Sequence, residues 1–167
     1  MQTATDKHPA QCPGWYPAWL FTAGLLLSLL TQAVQAASPL ESHPSPYLRE
    51  HADDAINWHT LESLNTPEAS KQQRPLLISS GYSACYWCYR MKQDTFLDAA
   101  TGQLVNDHFV AVIIDRELEP ELDAWLQQFM ERQRGTGGWP LTVILTPEGD
   151  PVAGFTYTPA DRFNGAL

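Results

Sequence analysis

Leu76-Leu77-Ile78-Ser79-Ser80-Gly81-Tyr82-Ser83-Ala84-Cys85-Tyr86-Trp87-Cys88-Tyr89-Arg90-Met91 is the stretch on which the reading of this chain turns. Leu76 to Ser80 is a short apolar run of strand length. Gly81-Tyr82-Ser83 forms a turn, and a helix is expected from about Ala84 to Phe96. Cys85 therefore falls where a strand has ended and a helix begins, with Cys88 one turn further in. Positions i and i+3 share a helix face, so the two sulfurs can close a small disulfide. The positive end of the helix dipole favours the Cys85 thiolate, and the thiolate is the attacking species in thiol–disulfide exchange. Cys88 is then the resolving thiol. Tyr86 and Trp87, the two residues between them, govern access by a partner.

Two plainer explanations of the pair are weaker. Zinc takes four ligands, usually with a second Cys or His pair at short spacing, and His43, His51, His59 and His108 show no such pattern. An inert bridge closing so small a loop restricts the unfolded chain little. The third cysteine, Cys12, lies near the N-terminus and leaves Cys85 and Cys88 as the only pair in the rest of the chain. No metal is expected, and no cofactor beyond the redox-active disulfide. The partners implied are protein thiols and disulfides, with a redox partner to recharge the couple. A thiolate metal carrier and a non-catalytic binding module are the alternatives.

The rest of the chain supplies an α/β frame. Tyr47 to Ala52 suits a short helical turn, and Thr66-Pro67 opens a helix that ends before Pro75. Asp98 caps another helix, and Val110 to Ile114 is a buried strand. Pro120 begins a helix striped with Leu122, Trp125, Leu126, Phe129 and Met130, which Gly135 stops. Leu141 to Leu145 and Val152 to Tyr157 are strands joined by a turn at residues 147–150, antiparallel to one another. The result is an α/β sandwich with a central mixed sheet. Five acids between Asp115 and Asp123 fit a helix start at Pro120 better than a calcium loop, which needs glycine where Pro120 stands. Trp58 and Trp125 are expected to pack, and His51 to serve as a structural hydrogen-bonding residue.

Composition narrows the function classes. A net charge of −9, with ten scattered Lys and Arg among 167 residues, argues against nucleic acid. Residues 1–36 read as a secretory signal: Trp19 to Leu30 is uncharged and apolar, and Val34 and Ala36 are small residues preceding a cut. The run falls short of the about 20 residues that span a membrane comfortably, but Lys7 is the only basic side chain before it and Asp6 offsets that charge, so an uncleaved anchor at residues 19–30 is the rival reading. Either one places the remainder outside the cytoplasm, periplasmic or extracellular. Residues 37–46, rich in Ser and Pro, read as an extended linker to a domain over 47–167.

From Ser45 to Pro159 the chain resembles the thioredoxin-like domain of the spermatogenesis-associated family and its bacterial relatives. The resemblance rests on Pro46-Tyr47-Leu48, His51-Ala52-Asp53, Trp58, Ser79, Gly81-Tyr82-Ser83 and Cys85-x-Trp87-Cys88. Asp115-Arg116-Glu117, Pro120, Asp123, Gly137-Gly138-Trp139-Pro140-Leu141, Leu145-Thr146-Pro147 and Thr156-Tyr157 complete it. It implies a thioredoxin fold in which Cys85 attacks, Cys88 resolves, Pro140 is a cis-proline facing them, and Trp139 contacts the substrate backbone. Asp115, near the active edge, becomes a candidate for proton handling, with turn capping as the plain alternative. Thioredoxins proper carry a buried acid at the position of Ser79, so deprotonation of Cys88 falls to water or Asp115. Family members usually have His where Tyr86 and Tyr89 stand. Thr158 to Leu167 reads as too short and too rich in Pro and Gly for the closing helix. That helix is therefore expected to be missing, leaving one sheet face open to a dimer or partner.

Overall fold

The computed structural model describes residues 38–64 and 73–167. The expected signal or anchor, Cys12 and the helix start at Thr66-Pro67 lie outside the described residues. Within them the elements are α1 (Pro46–Glu50), α2 (Leu61–Leu64), β1 (Leu76–Gly81), α3 (Tyr86–Met91), a π-helical turn (Lys92–Phe96), α4 (Ala99–His108), β2 (Val110–Asp115), α5 (Pro120–Arg134), β3 (Leu141–Leu145), β4 (Pro151–Phe155) and α6 (Ala160–Asn164). The strands form one mixed sheet in the order β2-β1-β3-β4. β1 runs parallel to β2, from Leu76↔Val110 to Gly81↔Asp115, and antiparallel to β3, from Leu76↔Leu145 to Ser80↔Leu141.

Strand alternation sorts the apolar residues into two cores. Leu77, Ala111 and Ile113 point to one face, where they meet Cys85, Cys88, Met91, Phe96, Val105 and Phe163. Ile78, Val112, Ile114, Leu141, Val143 and Leu145 point to the other and pack on Leu126 and Met130 of α5. Burial on both faces explains why β2 reads as an apolar run from Val110 to Ile114 and β1 opens on one, Leu76 to Ile78. The outer edge of β2 is met by His59, whose N–H donates to Ala111 O and whose carbonyl accepts from Ile113 N.

Two expectations need correction. Residues 38–46 are no extended linker: Leu40 is fully buried in the first core, and Ser45 caps α1 by accepting from Leu48 N at 3.1 Å. The closing helix is not missing either. α6 is only five residues long, yet it drives Phe163 completely into the core, edge-on to Phe96 and Phe155. Pro159 before it and Gly165 after it punctuate a short helix rather than forbid one. Phe163 thus covers part of the sheet face expected to be bare, while Ile144 and Phe155 beside it stay half-buried.

Candidate active site

The end of β1 and the start of α3 build the site. Cys85 is the N-cap of α3, in extended conformation, and its Sγ accepts from Cys88 N at 3.1 Å. An N-cap acceptor satisfies one of the helix's unpaired first-turn donors, so the same N–H is placed to hold a Cys85 thiolate when the pair is reduced. The two sulfurs form a disulfide, with Cα atoms 5.2 Å apart. Cys85 is 6% exposed and Cys88 2%. Both nevertheless line a cavity of about 800 Å³, shared with Tyr47, Tyr82, Tyr86 and Tyr89. The pair is sheltered but within a partner's reach.

An aromatic rim surrounds the opening. Tyr86, Trp87 and Tyr89 are exposed at 65%, 51% and 58%. Trp87 meets Tyr86 edge-on at 5.3 Å and lies tilted against Tyr157 at 4.8 Å. Tyr157 is held in turn: its hydroxyl donates to Asp94 Oδ2 at 2.7 Å, and Arg90 grips the same carboxylate. That hydrogen bond, first among several causes, pushes the Tyr157 phenol above its ordinary value. Thr158 adds two further ties, its carbonyl accepting from Thr95 Oγ1 and its N–H meeting Met91 Sδ. The segment after β4 thus clamps the helix that carries the cysteines.

The Trp139-Pro140 bond is cis. It directly precedes β3, whose last pair with β1 is Ser80↔Leu141, so Pro140 lies beside the end of β1 where the cysteine turn begins. Trp139 is pinned rather than free. Its Nε1–H donates to Asp123 Oδ1 at 2.9 Å, Ser80 Oγ donates to the same oxygen at 2.6 Å, and the Arg116 guanidinium covers the ring at 4.0 Å. Tyr82 meets the indole edge-on at 5.9 Å. Asp123, Arg116 and Tyr82 are supports that a spacing argument missed, since they come from three separate elements.

Asp115 stands at the end of β2, opposite Gly81. Ser45 Oγ donates to its Oδ2 at 2.7 Å and Glu117 N to its Oδ1 at 3.0 Å. Oδ1 thus caps the turn after β2, while Oδ2 ties that turn to the head of α1. Ser79 is fully buried and accepts from Thr142 Oγ1, so no acid stands on that strand beneath the cysteines. His51 is the hydrogen-bonding residue expected, with Nδ1 at 2.6 Å from Asp54 Oδ2. Trp58 Nε1 donates to the same carboxylate oxygen.

One family model, described as "Protein of unknown function, DUF255", matches residues 37–166. The chain belongs to that family. The resemblance to the spermatogenesis-associated proteins stands on curated relatives as well. An uncharacterized Caenorhabditis elegans protein, B0495.5, is 39% identical over 128 residues, covering 77% of this chain and 18% of its own length. Spermatogenesis-associated protein 20 of Rattus norvegicus is 36% identical over 127 residues, covering 76% of this chain and 16% of its own. The chain thus spans less than a fifth of these relatives. Among solved structures, a DsbH oxidoreductase superposes with a TM-score of 0.49 at 19% identity, over 66% of this chain and 81% of that one. A thioredoxin from Thermus thermophilus gives 0.48 at 18%, over 67% and 84%.

Proposed function

We propose that this DUF255 family member is an exported thiol–disulfide oxidoreductase that acts on protein thiols through Cys85 and Cys88. The observation that carries the reading is the seating of the disulfide: at the tip of a helix, facing a cavity, with the Trp139-Pro140 loop at the adjoining strand end. In the reducing direction the Cys85 thiolate attacks a substrate disulfide. A Cys85–substrate S–S bond forms, the substrate bond breaks, and the departing sulfur leaves as a thiolate that takes a proton from solvent. The Cys88 thiolate then attacks Cys85 Sγ, freeing the second substrate sulfur and restoring the Cys85–Cys88 bond. Two electrons pass from the dithiol to the substrate. Run backwards, the same steps oxidise a substrate dithiol.

The neighbouring residues take roles that fit this cycle. Trp139 and Pro140 line the substrate backbone, and Trp87 and Tyr86 offer an apolar landing surface to the polypeptide that carries the reacting sulfur. Asp115 organises the turn beside Gly81. No cofactor beyond the couple itself is needed, although a redox partner must recharge it. Export is supported by the apolar run Trp19 to Leu30 and the small residues Val34 and Ala36 after it.

Paired substitutions test the reading. Cys85→Ser is expected to abolish insulin-disulfide reduction and refolding of a scrambled substrate, while Cys88→Ser accumulates mixed disulfides visible on non-reducing gels. Full activity in Cys85→Ser would overturn it.

A further inference from the structure

Tyr47 is the one fully buried tyrosine of the site. It is 2% exposed, and its hydroxyl has no hydrogen-bond partner. An unpaired buried hydroxyl is costly relative to a satisfied one, so its retention requires a reason. Its position supplies one. A methyl group placed on Gly81 would come within 2.6 Å of Tyr47 Cζ, closer still to the hydroxyl, and within 2.9 Å of Cys88 Sγ. The phenol and the resolving sulfur thus both close on Gly81, which leaves room for no side chain and lets the two approach the same point. A sulfur in a disulfide is a poor acceptor, whereas a thiolate is a strong one.

We propose that Tyr47 is a catalytic residue of the couple, whose hydroxyl donates a hydrogen bond to the Cys88 thiolate once the disulfide is reduced. This rests on the oxidoreductase reading and adds to it the group that makes Cys88 reactive. Cys88 bears negative charge in both directions, as the attacking thiolate when a mixed disulfide is resolved and as the leaving thiolate when Cys85–Cys88 is opened. Tyr47 keeps its own proton throughout. The Cys88 proton passes to solvent and returns from it, so the step balances without a further reagent.

The surroundings make a donor necessary. The titratable and charged groups around the phenol are Glu50 at the end of α1, His51 just after it, Asp54 in the following loop, Asp115 at the end of β2, the cysteine pair, and Lys92, which lines the same cavity and pairs with Asp54 at 3.7 Å. Three of these are carboxylates, and the His51 ring lies edge-on at 4.8 Å. Burial, then the charges of Asp54, Asp115 and Glu50, push the Tyr47 phenol far above its ordinary value, which leaves it a donor and never a base. Burial opposes a thiolate at Cys88, and Ser79 puts no acid beneath it to take the proton.

The test is Tyr47→Phe in the full chain. The missing oxygen had no partner in the oxidised protein, so folding is expected to be preserved. In a Cys85→Ser background, ultraviolet thiolate absorbance is expected to place the Cys88 pKa about one unit higher after Tyr47→Phe than before it, tenfold less thiolate at any pH below it. With both cysteines present, resolution of a preformed mixed disulfide should slow about tenfold near neutral pH and recover in alkali. An unchanged Cys88 titration would overturn the proposal. Should Tyr47→Phe fail to fold, the hydroxyl proton of Tyr47 in the unsubstituted protein decides: a downfield NMR shift on reduction supports the contact, and an unmoved resonance refutes it. The Cys85→Ser titration involves no turnover, so it speaks to Tyr47 even if the parent protein catalysed no exchange.

Discussion

Gly81 occupies a position where a side chain has no room. The space above its Cα is bordered by Tyr47 and Cys88, and both belong to buried, crowded surroundings. Gly81→Ala is expected to destabilise the oxidised protein by about 1–3 kcal/mol, the usual cost of forcing an extra methyl into a packed interior. Urea unfolding checks this, and a midpoint equal to that of the parent would show that the space is slack. Cysteines announce themselves in a sequence because few other residues do their chemistry, so Cys85 and Cys88 are legible before any fold is known, whereas Pro140, one of thirteen prolines, is singled out only by the family resemblance. Tyr47 is not. It belongs to a motif that carries the resemblance, but its role depends on how α1 folds back over the end of β1. Trp139 is half legible: its place before the proline is evident, whereas its anchoring by Asp123 and Arg116 depends on the packing of separate elements.

The elements follow their local signals wherever the chain controls its own ends. Asp98 accepts from Thr101 N at 2.8 Å and from Thr101 Oγ1 at 2.9 Å, the cap expected of it at the head of α4. Those hydrogen bonds, the backbone one foremost, hold its carboxyl below the usual range. The folded value is therefore below the unfolded one of about 4, so the cap's contribution is complete above that pH and drains away as the pH falls through the folded value. Asp98→Ala is accordingly expected to unfold at lower urea than the parent at pH 7, with the two midpoints converging in acid. A gap that stayed constant with pH would mean that the carboxylate's charge contributes nothing. Gly135 ends α5 in the left-handed conformation, φ 74°, as its place after a long amphipathic stripe implies. Local signals mislead at the two ends of the domain. Pro and Ser around residues 38–46 look like a linker, and Pro and Gly around α6 look like the absence of a helix. In both places a single apolar residue, Leu40 or Phe163, finds a slot in the core, and tertiary burial overrides the local composition.

At the scale of the molecule, the two cores divide the work. The core between the sheet and α5 is apolar apart from the buried Ser80–Asp123 hydrogen bond and holds the sheet against a long helix. The other contains both cysteines, Tyr47 and the aromatic run from Trp58 through Phe96 to Phe163, so the reactive pair is set into the structural interior rather than perched on a loop. The mixed sheet is readable because unbroken apolar runs mark strands covered on both faces, and the antiparallel pair is marked by its tight turn. The reduction potential of the Cys85–Cys88 couple, obtained by equilibration against glutathione, tests most directly whether this placement serves exchange. A working couple is expected to fall between about −270 and −120 mV, the span of known thiol–disulfide exchange proteins. A value below about −300 mV, where structural disulfides resist the glutathione pool, would contradict it.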